Sequence, residues 1–276
     1  MRHPTPTAIA ALALLFSTFA IAADQPALPP GEKEAKARLD ASPRHGEWVE
    51  IAVPGSEAKM KAFVVYPERK EKAPVVIVIQ EIFGLTDWIR SVADQLAADG
   101  FIAIAPDLLS GPAGKGTDAL GDRSAVTKAV SGLDPKLVTT MLNATRDYAL
   151  KIPAANGKTA TIGFCWGGGT SFRYATEQPD LNAAVVYYGT SPNAAALEKL
   201  KAPVLGNYGG NDNRVNATIK PAEDKVKELK KTYEPNIYEG AGHGFLRQQD
   251  GQNGANQKAA EQAWPKTITF LRENTK

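Results

Sequence analysis

Little cysteine, little histidine and no surplus of either charge mark this chain. Its 276 residues contain one cysteine and three histidines, and 32 basic side chains stand against 30 acidic ones. One cysteine excludes an intramolecular disulfide. The near-neutral balance, with no basic stripe interleaved with aromatics, argues against a nucleic-acid partner. Long apolar runs are missing too, except near the start. Met1-Arg2-His3 is followed by an apolar stretch from Ala8 to Ala22, closed by Ala20-Ile21-Ala22. That is the pattern of a secretory signal peptide, too short and wrongly flanked to span a bilayer. Residues 1–22 are therefore expected to be removed, with cleavage after about Ala22 or Ala23. The mature chain is expected in the periplasm or outside the cell, as a soluble monomer with no membrane partner.

About 250 residues remain, enough for one α/β domain with a large core. Residues 23–47 read as a linker or N-terminal extension, extended from Gln25 to Gly31 and with a short helix over Glu32 to Asp40. The domain is expected over 48–276. Trp48–Val53 and Met60–Tyr66 resemble an antiparallel pair. Val75-Val76-Ile77-Val78-Ile79 is an unbroken β-branched run, the mark of a strand buried on both faces. Helix and strand then alternate: helix at 87–98, strand at 101–105, helix at 134–150, strand at 158–162. Helix at 170–177, strands at 183–188 and 203–208, helix at 221–231, strand at 236–238 and helix at 256–273 complete the pattern. Such alternation predicts a mainly parallel central sheet with helices on both faces. Its ligand site belongs at the carboxyl ends of the strands. The Gly-rich stretch from Ser110 to Gly121 is expected to be a mobile loop near the mouth of that site.

The lone cysteine sits where chemistry is expected. Gly163-Phe164-Cys165-Trp166-Gly167 lies between an apolar strand and a helix-forming segment. This is a G-x-nucleophile-x-G turn with sulfur in place of the commoner serine oxygen. A helix N-terminus behind the sulfur favours a thiolate. A buried, inert cysteine in a Gly-rich turn is the plainer alternative. Two histidines remain after signal cleavage. His45 precedes the first strand in a polar stretch and reads as solvated surface. His243 follows a strand within Gly240-Ala241-Gly242-His243-Gly244-Phe245, where a catalytic histidine belongs. Asp212, in Gly209-Gly210-Asn211-Asp212, lies between nucleophile and histidine in chain order, as an orienting acid should. Glu81 ends the most apolar strand, and a carboxylate there needs a partner. Arg247, four residues beyond His243, can reach it. That pair is either part of the site or a purely structural ion pair.

Gln80-Glu81-Ile82-Phe83-Gly84, Gly163-Phe164-Cys165-Trp166-Gly167-Gly168, Gly209-Gly210-Asn211-Asp212 and Gly242-His243-Gly244-Phe245-Leu246-Arg247 together resemble the signatures of the dienelactone hydrolase family. The likeness runs from about Trp48 to Arg272. It implies an α/β-hydrolase fold and a Cys165–His243–Asp212 triad, with the backbone N–H groups of Ile82 and Trp166 as oxyanion hole. It also implies that Glu81 contacts a resting thiol and pairs with Arg247. An anionic substrate then competes for the arginine, and the freed carboxylate helps deprotonate Cys165. The family pattern includes a second substrate-binding arginine with a nearby tyrosine. Arg123 is the only arginine in place, no tyrosine follows it closely, and a solvated helix residue is an equal reading of it. The expected substrate is a lactone or activated ester, opened through an acyl-cysteine without metal or cofactor. A broad carboxylesterase or thioesterase and a non-catalytic binding protein of the same fold are the alternatives.

Overall fold

The computed structural model describes Met1 and residues 27–276; the signal-peptide reading falls outside the described residues. Among the described residues, ten strands follow in chain order: β1 (Gly46–Ile51), β2 (Met60–Val65), β3 (Ala73–Ile79), β4 (Ile102–Pro106), β5 (Ser110–Gly111), β6 (Gly114–Lys115), β7 (Ala155–Phe164), β8 (Ala183–Tyr187), β9 (Val204–Gly209) and β10 (Tyr233–Tyr238). The helices are α1 (Ala35–Asp40), α2 (Asp87–Ala98), α3 (Thr117–Leu120), α4 (Arg123–Ser131), α5 (Pro135–Ala149), α6 (Trp166–Glu177), α7 (Ala194–Leu197), α8 (Asn213–Asn216), α9 (Ile219–Glu228) and α10 (Ala255–Asn274).

Eight strands form one sheet in the order β1-β2-β4-β3-β7-β8-β9-β10. From β4 to β10 every pairing is parallel; β2 pairs antiparallel with both β1 and β4 and is the one strand of this sheet that runs against the others. This is the architecture that the alternation predicts. The β-branched run of β3 is central and buried throughout. Val75, Ile77 and Ile79 pack toward the layer holding α5, α6 and α9. Val76 and Val78 face the layer built from α2 and α10. Period-two alternation thus feeds two cores from one strand. Each such side chain contributes roughly 1.5–3 kcal/mol by leaving water.

Register places the site. Ile79 of β3 is level with Gly163 of β7. Two residues on, each strand end delivers a polar side chain: Glu81 from one, Cys165 from the other. Phe164 is level with Tyr187 of β8, and the Cys165 N–H donates to the Tyr187 carbonyl at 3.0 Å. The chain reverses direction around β3, since β4 lies on one side of it and β7 on the other. A crevice at the strands' carboxyl ends follows from that reversal.

Ser110 to Gly121 differs from expectation. It is not an irregular loop but the β5–β6 hairpin followed by α3. Asp107 holds it, accepting from the Thr117 N–H and hydroxyl at 2.8 Å each. Thr117 Oγ1 in turn accepts from the Leu85 N–H at 3.0 Å. Helix α4 lies in sequence left unassigned, and Asp122 caps it by accepting from the Ser124 and Ala125 N–H groups.

The N-terminal extension packs on the domain from Leu28 onward. The Trp88 indole donates to the Pro30 carbonyl at 3.0 Å, and Gln249 Nε2 donates to Pro29 at 2.9 Å. The Glu32 N–H donates to the Arg247 carbonyl at 2.9 Å. The helix begins at Ala35, not Glu32, because 32–34 turn to make these contacts. No helix among the described residues is long and apolar enough to cross a membrane.

Candidate active site

Cys165 is held in a backbone conformation that side chains rarely adopt, with φ 55° and ψ −114°. Such strain costs on the order of 1–3 kcal/mol and persists only where the surroundings impose it. Here they do. A Cβ on Gly163 would lie 1.9 Å from the Gly167 carbonyl oxygen, and one on Gly167 would lie 2.2 Å from that of Gln80. Glycine at both positions lets α6 start at Trp166, directly behind the sulfur.

The backbone N–H groups of Trp166 and Ile82 lie close enough to the Cys165 sulfur to favour its charged form. They are the two groups expected to form an oxyanion hole. Burial pushes the Cys165 thiol up, and the negative charge of Glu81 adds to the push. The two N–H groups and the Arg214 charge oppose it without prevailing. The resting group is therefore a thiol, not a thiolate. No hydrogen bond links Cys165 to His243 among the described residues.

Asp212 and His243 meet as their chain order predicts. His243 Nδ1 lies 2.5 Å from Asp212 Oδ2. A carboxylate can only accept, so Nδ1 carries the proton and Nε2 keeps its lone pair free. The other carboxylate oxygen of Asp212 accepts from the Val215 N–H at 3.4 Å, capping α8. One side chain thus starts a helix and orients the imidazole.

Glu81 and Arg247 also meet, with Nε 2.8 Å from Oε2. The N–H does not aim along that line, and Nε has no well-directed hydrogen bond. The contact is an ion pair of proximity. Glu81 is 2% exposed. Burial pushes its carboxyl up to about 7, against the pull of Arg247 and with added push from Glu32. Burial works against the Arg247 charge too, yet Glu81 and Glu32 raise it overall.

Arg123, the first residue of α4, is more than half exposed. Its guanidinium lies over the Phe83 ring at 3.7 Å, and the Arg247 guanidinium lies 5.2 Å from the same ring. Arg123 therefore reaches the rim of the site. His45 stays outside it, exposed beside Glu47 and stacked on Tyr66.

Three further side chains enter that the motifs did not single out. Arg214 lines a cavity of about 620 Å³ together with Cys165, Ile82, Trp166 and Tyr188. It lies two residues after Asp212, so proximity to a strand-end acid was the available signal. Tyr188 directly follows β8 with φ 41°, its ring 5.2 Å from His243 and its buried hydroxyl without a partner among the described residues. Its place at a strand end was legible; its contacts were not. The third is Glu32, which pairs with Arg247 and lies 3.7 Å from Arg123. Nothing in its local sequence announces that. No cluster of three or more metal-ligating side chains occurs among the described residues.

With this geometry in view, the comparisons with known proteins are specific. The sequence profile of the dienelactone hydrolase family matches residues 60–275. A Saccharolobus solfataricus protein provisionally named a carboxymethylenebutenolidase is 32% identical over 263 residues, covering 82% of this chain and 99% of its own. The carboxymethylenebutenolidase of Pseudomonas putida is 30% identical over 207 residues, covering 73% of this chain and 86% of its own. A crystal structure from Klebsiella pneumoniae, provisionally named a dienelactone hydrolase, superposes with a TM-score of 0.70 at 27% identity, covering 83% and 99% of the two chains.

Proposed function

The chain belongs to the dienelactone hydrolase family of α/β-hydrolases and is an ester or lactone hydrolase; from that premise we propose that it works through an acyl-enzyme on Cys165. One observation carries the reading most. Adjacent strand ends set Glu81 near Cys165, Glu81 pairs with Arg247, His243 pairs with Asp212, and Tyr188, which lines the cavity with Cys165, lies against the His243 ring.

The steps follow from the chemistry of these groups. As substrate enters, Glu81, which no directed hydrogen bond from Arg247 Nε ties down, takes the Cys165 proton. At rest the sulfur lies beside the Trp166 and Ile82 N–H groups. An oxyanion needs the same two donors, so the thiolate must turn outward toward His243 as the carbonyl oxygen moves in. Sulfur adds to the carbonyl carbon and the carbon–oxygen bond breaks. The proton that left the thiol ends on the departing oxygen. His243 Nε2 then takes a proton from water, hydroxide opens the thioester, and the returned proton restores the thiol. Asp212 stabilises the imidazolium and fixes its tautomer. A thiol nucleophile suits good leaving groups, so enol and aryl esters are the expected substrates.

Export is part of the same proposal, supported by the run from Ala8 to Ala22 and the Ala20-Ile21-Ala22 site. The mature protein is taken as a periplasmic or secreted monomer. An inward-turned, neutral thiol suits such a compartment, because oxidation needs thiolate.

The test is mass spectrometry after brief exposure to p-nitrophenyl acetate and, separately, to a dienelactone. An acyl mass on Cys165, absent in Cys165→Ala along with turnover, is expected. Undiminished hydrolysis by Cys165→Ala would sink the acyl-cysteine mechanism.

A further inference from the structure

The segment before α1 carries none of the chemical motifs, yet it delivers a carboxylate to the edge of the site. Glu32 spends one oxygen on Arg247 and directs the other to Arg123 at 3.7 Å. Both guanidiniums stand against Phe83, the residue next to Ile82, whose backbone N–H lies near the Cys165 sulfur. Two guanidiniums converging on one carboxylate form an anion-binding clasp. Here the anion belongs to the chain itself.

Its position is held by backbone as well as charge. The Glu32 N–H donates to the Arg247 carbonyl, and Pro29 and Pro30 are each tied down by a side-chain donor. The tip stays accessible: the Glu32 side chain is 41% exposed, against 9% for Arg247. The four charges alternate: Glu81, Arg247, Glu32, Arg123. With Glu81 ionised they cancel. An incoming carboxylate at this edge meets a filled clasp and two carboxylates of its own sign. An uncharged group meets neither obstacle.

We infer that Glu32 is a specificity-determining residue, an internal carboxylate that fills the Arg123–Arg247 clasp and directs the site toward neutral esters over carboxylate-bearing ones. The inference rests on the Cys165 hydrolase reading for its consequence in turnover, but its electrostatic core can be read without turnover.

The chain's single cysteine makes that possible. Iodoacetamide and iodoacetate alkylate a thiol identically in kind, and only the second carries charge. The rate ratio of iodoacetate to iodoacetamide at Cys165, referred to glutathione, should be low in the unaltered protein. Glu32→Gln keeps the shape of the side chain and should raise the ratio about tenfold at low salt. Glu34→Gln, changing a nearby exposed carboxylate that touches neither arginine, should leave it unchanged. In the unaltered protein, salt near about 1 M should erode the bias against iodoacetate. In parallel, kcat/KM for p-nitrophenyl hydrogen succinate relative to p-nitrophenyl acetate should rise about tenfold in Glu32→Gln.

An alkylation ratio that Glu32→Gln leaves within twofold of the unaltered protein overturns the inference, whatever the esters do. So does a ratio in the unaltered protein that is indifferent to salt. If the ratio moves as expected while neither protein hydrolyses either ester, the inference about Glu32 stands and the hydrolase reading of Cys165 falls.

Discussion

Asp212 and Glu81 are two buried carboxylates whose partners come from one short stretch of chain, His243 and Arg247, yet they are held in opposite ways. Asp212 has both oxygens engaged by aimed donors, the imidazole N–H and the Val215 N–H of α8. Glu81 has a full positive charge at 2.8 Å but no donor pointed along the contact, and a second carboxylate, Glu32, shares its arginine. Burial then decides, lifting Glu81 to about 7. Aimed hydrogen bonds make a fixed acceptor; misaligned charge in a dry site makes a group that can exchange a proton near neutral pH. The first suits an orienter and the second a proton acceptor for a thiol.

Removing the fixed member should cost most. Asp212→Asn keeps a side-chain oxygen for the α8 cap, so the fold should survive. It would, however, lose the acceptor that selects the Nδ1–H tautomer. A fall in kcat on the order of 10³–10⁴ is expected for an aryl ester, with KM little changed. Stopped-flow or steady-state kinetics at saturating ester would show it. A loss below tenfold would mean that His243 is not oriented through Asp212.

Removing the poised member should cost less and change a pH profile. If ionised Glu81 takes the thiol proton, kcat/KM rises with pH through about 7. Glu81→Gln should lower kcat/KM by about 10²-fold and abolish that limb. Stability should respond with a definite sign. The folded-state value of about 7 stands above the reference 4.5, so the native state binds the proton more tightly. The contribution of Glu81 is fully present below about pH 4.5 and is lost as pH rises toward 7. Urea unfolding between pH 4.5 and 7 should show stability falling more in the unaltered protein than in Glu81→Gln. Parallel curves would mean that Glu81 ionises as an ordinary carboxylate.

The same contrast explains what the sequence disclosed. Elements set by local pattern were legible. The Val75–Ile79 run sits inside β3, and α2 covers Asp87–Ala98 as predicted, with Thr86 as its cap. Pairings between strand ends were also legible, because the motifs follow each strand by a fixed few residues, and the fold pairs Asp212 with His243 and Glu81 with Arg247. What failed depends on contacts distant in sequence. Helix α6 begins four residues before the predicted Thr170, since Gly167 and Gly168 read locally as helix breakers but are required by the carbonyls of Gln80 and Tyr187. The Ser110–Gly121 stretch looked featureless because Asp107, outside it, supplies its order. Glu32 looked like the start of a short helix in an N-terminal extension because both of its partners lie far along the chain.

Arg214 offers the smallest and sharpest variation on the theme. It is exposed, lines the Cys165 cavity, and has no carboxylate within ion-pair distance among the described residues. Its charge opposes the rise of the Cys165 thiol that burial and Glu81 produce. Solvent screens it, so its effect should be far weaker than that of either buried carboxylate. Arg214→Gln should slow iodoacetamide alkylation of Cys165 at pH 7 by about twofold to threefold at low salt, and by less as salt is added. The mid-point of the rate–pH curve should move upward, since a cation that favoured thiolate is gone. Melting temperature should not change, because the side chain makes no hydrogen bond in the fold. A larger slowing, insensitive to salt, would mean that Arg214 acts through structure and not through its charge at the cavity. Electrostatic control of the sulfur would then lie with Glu81 and the two backbone N–H groups alone.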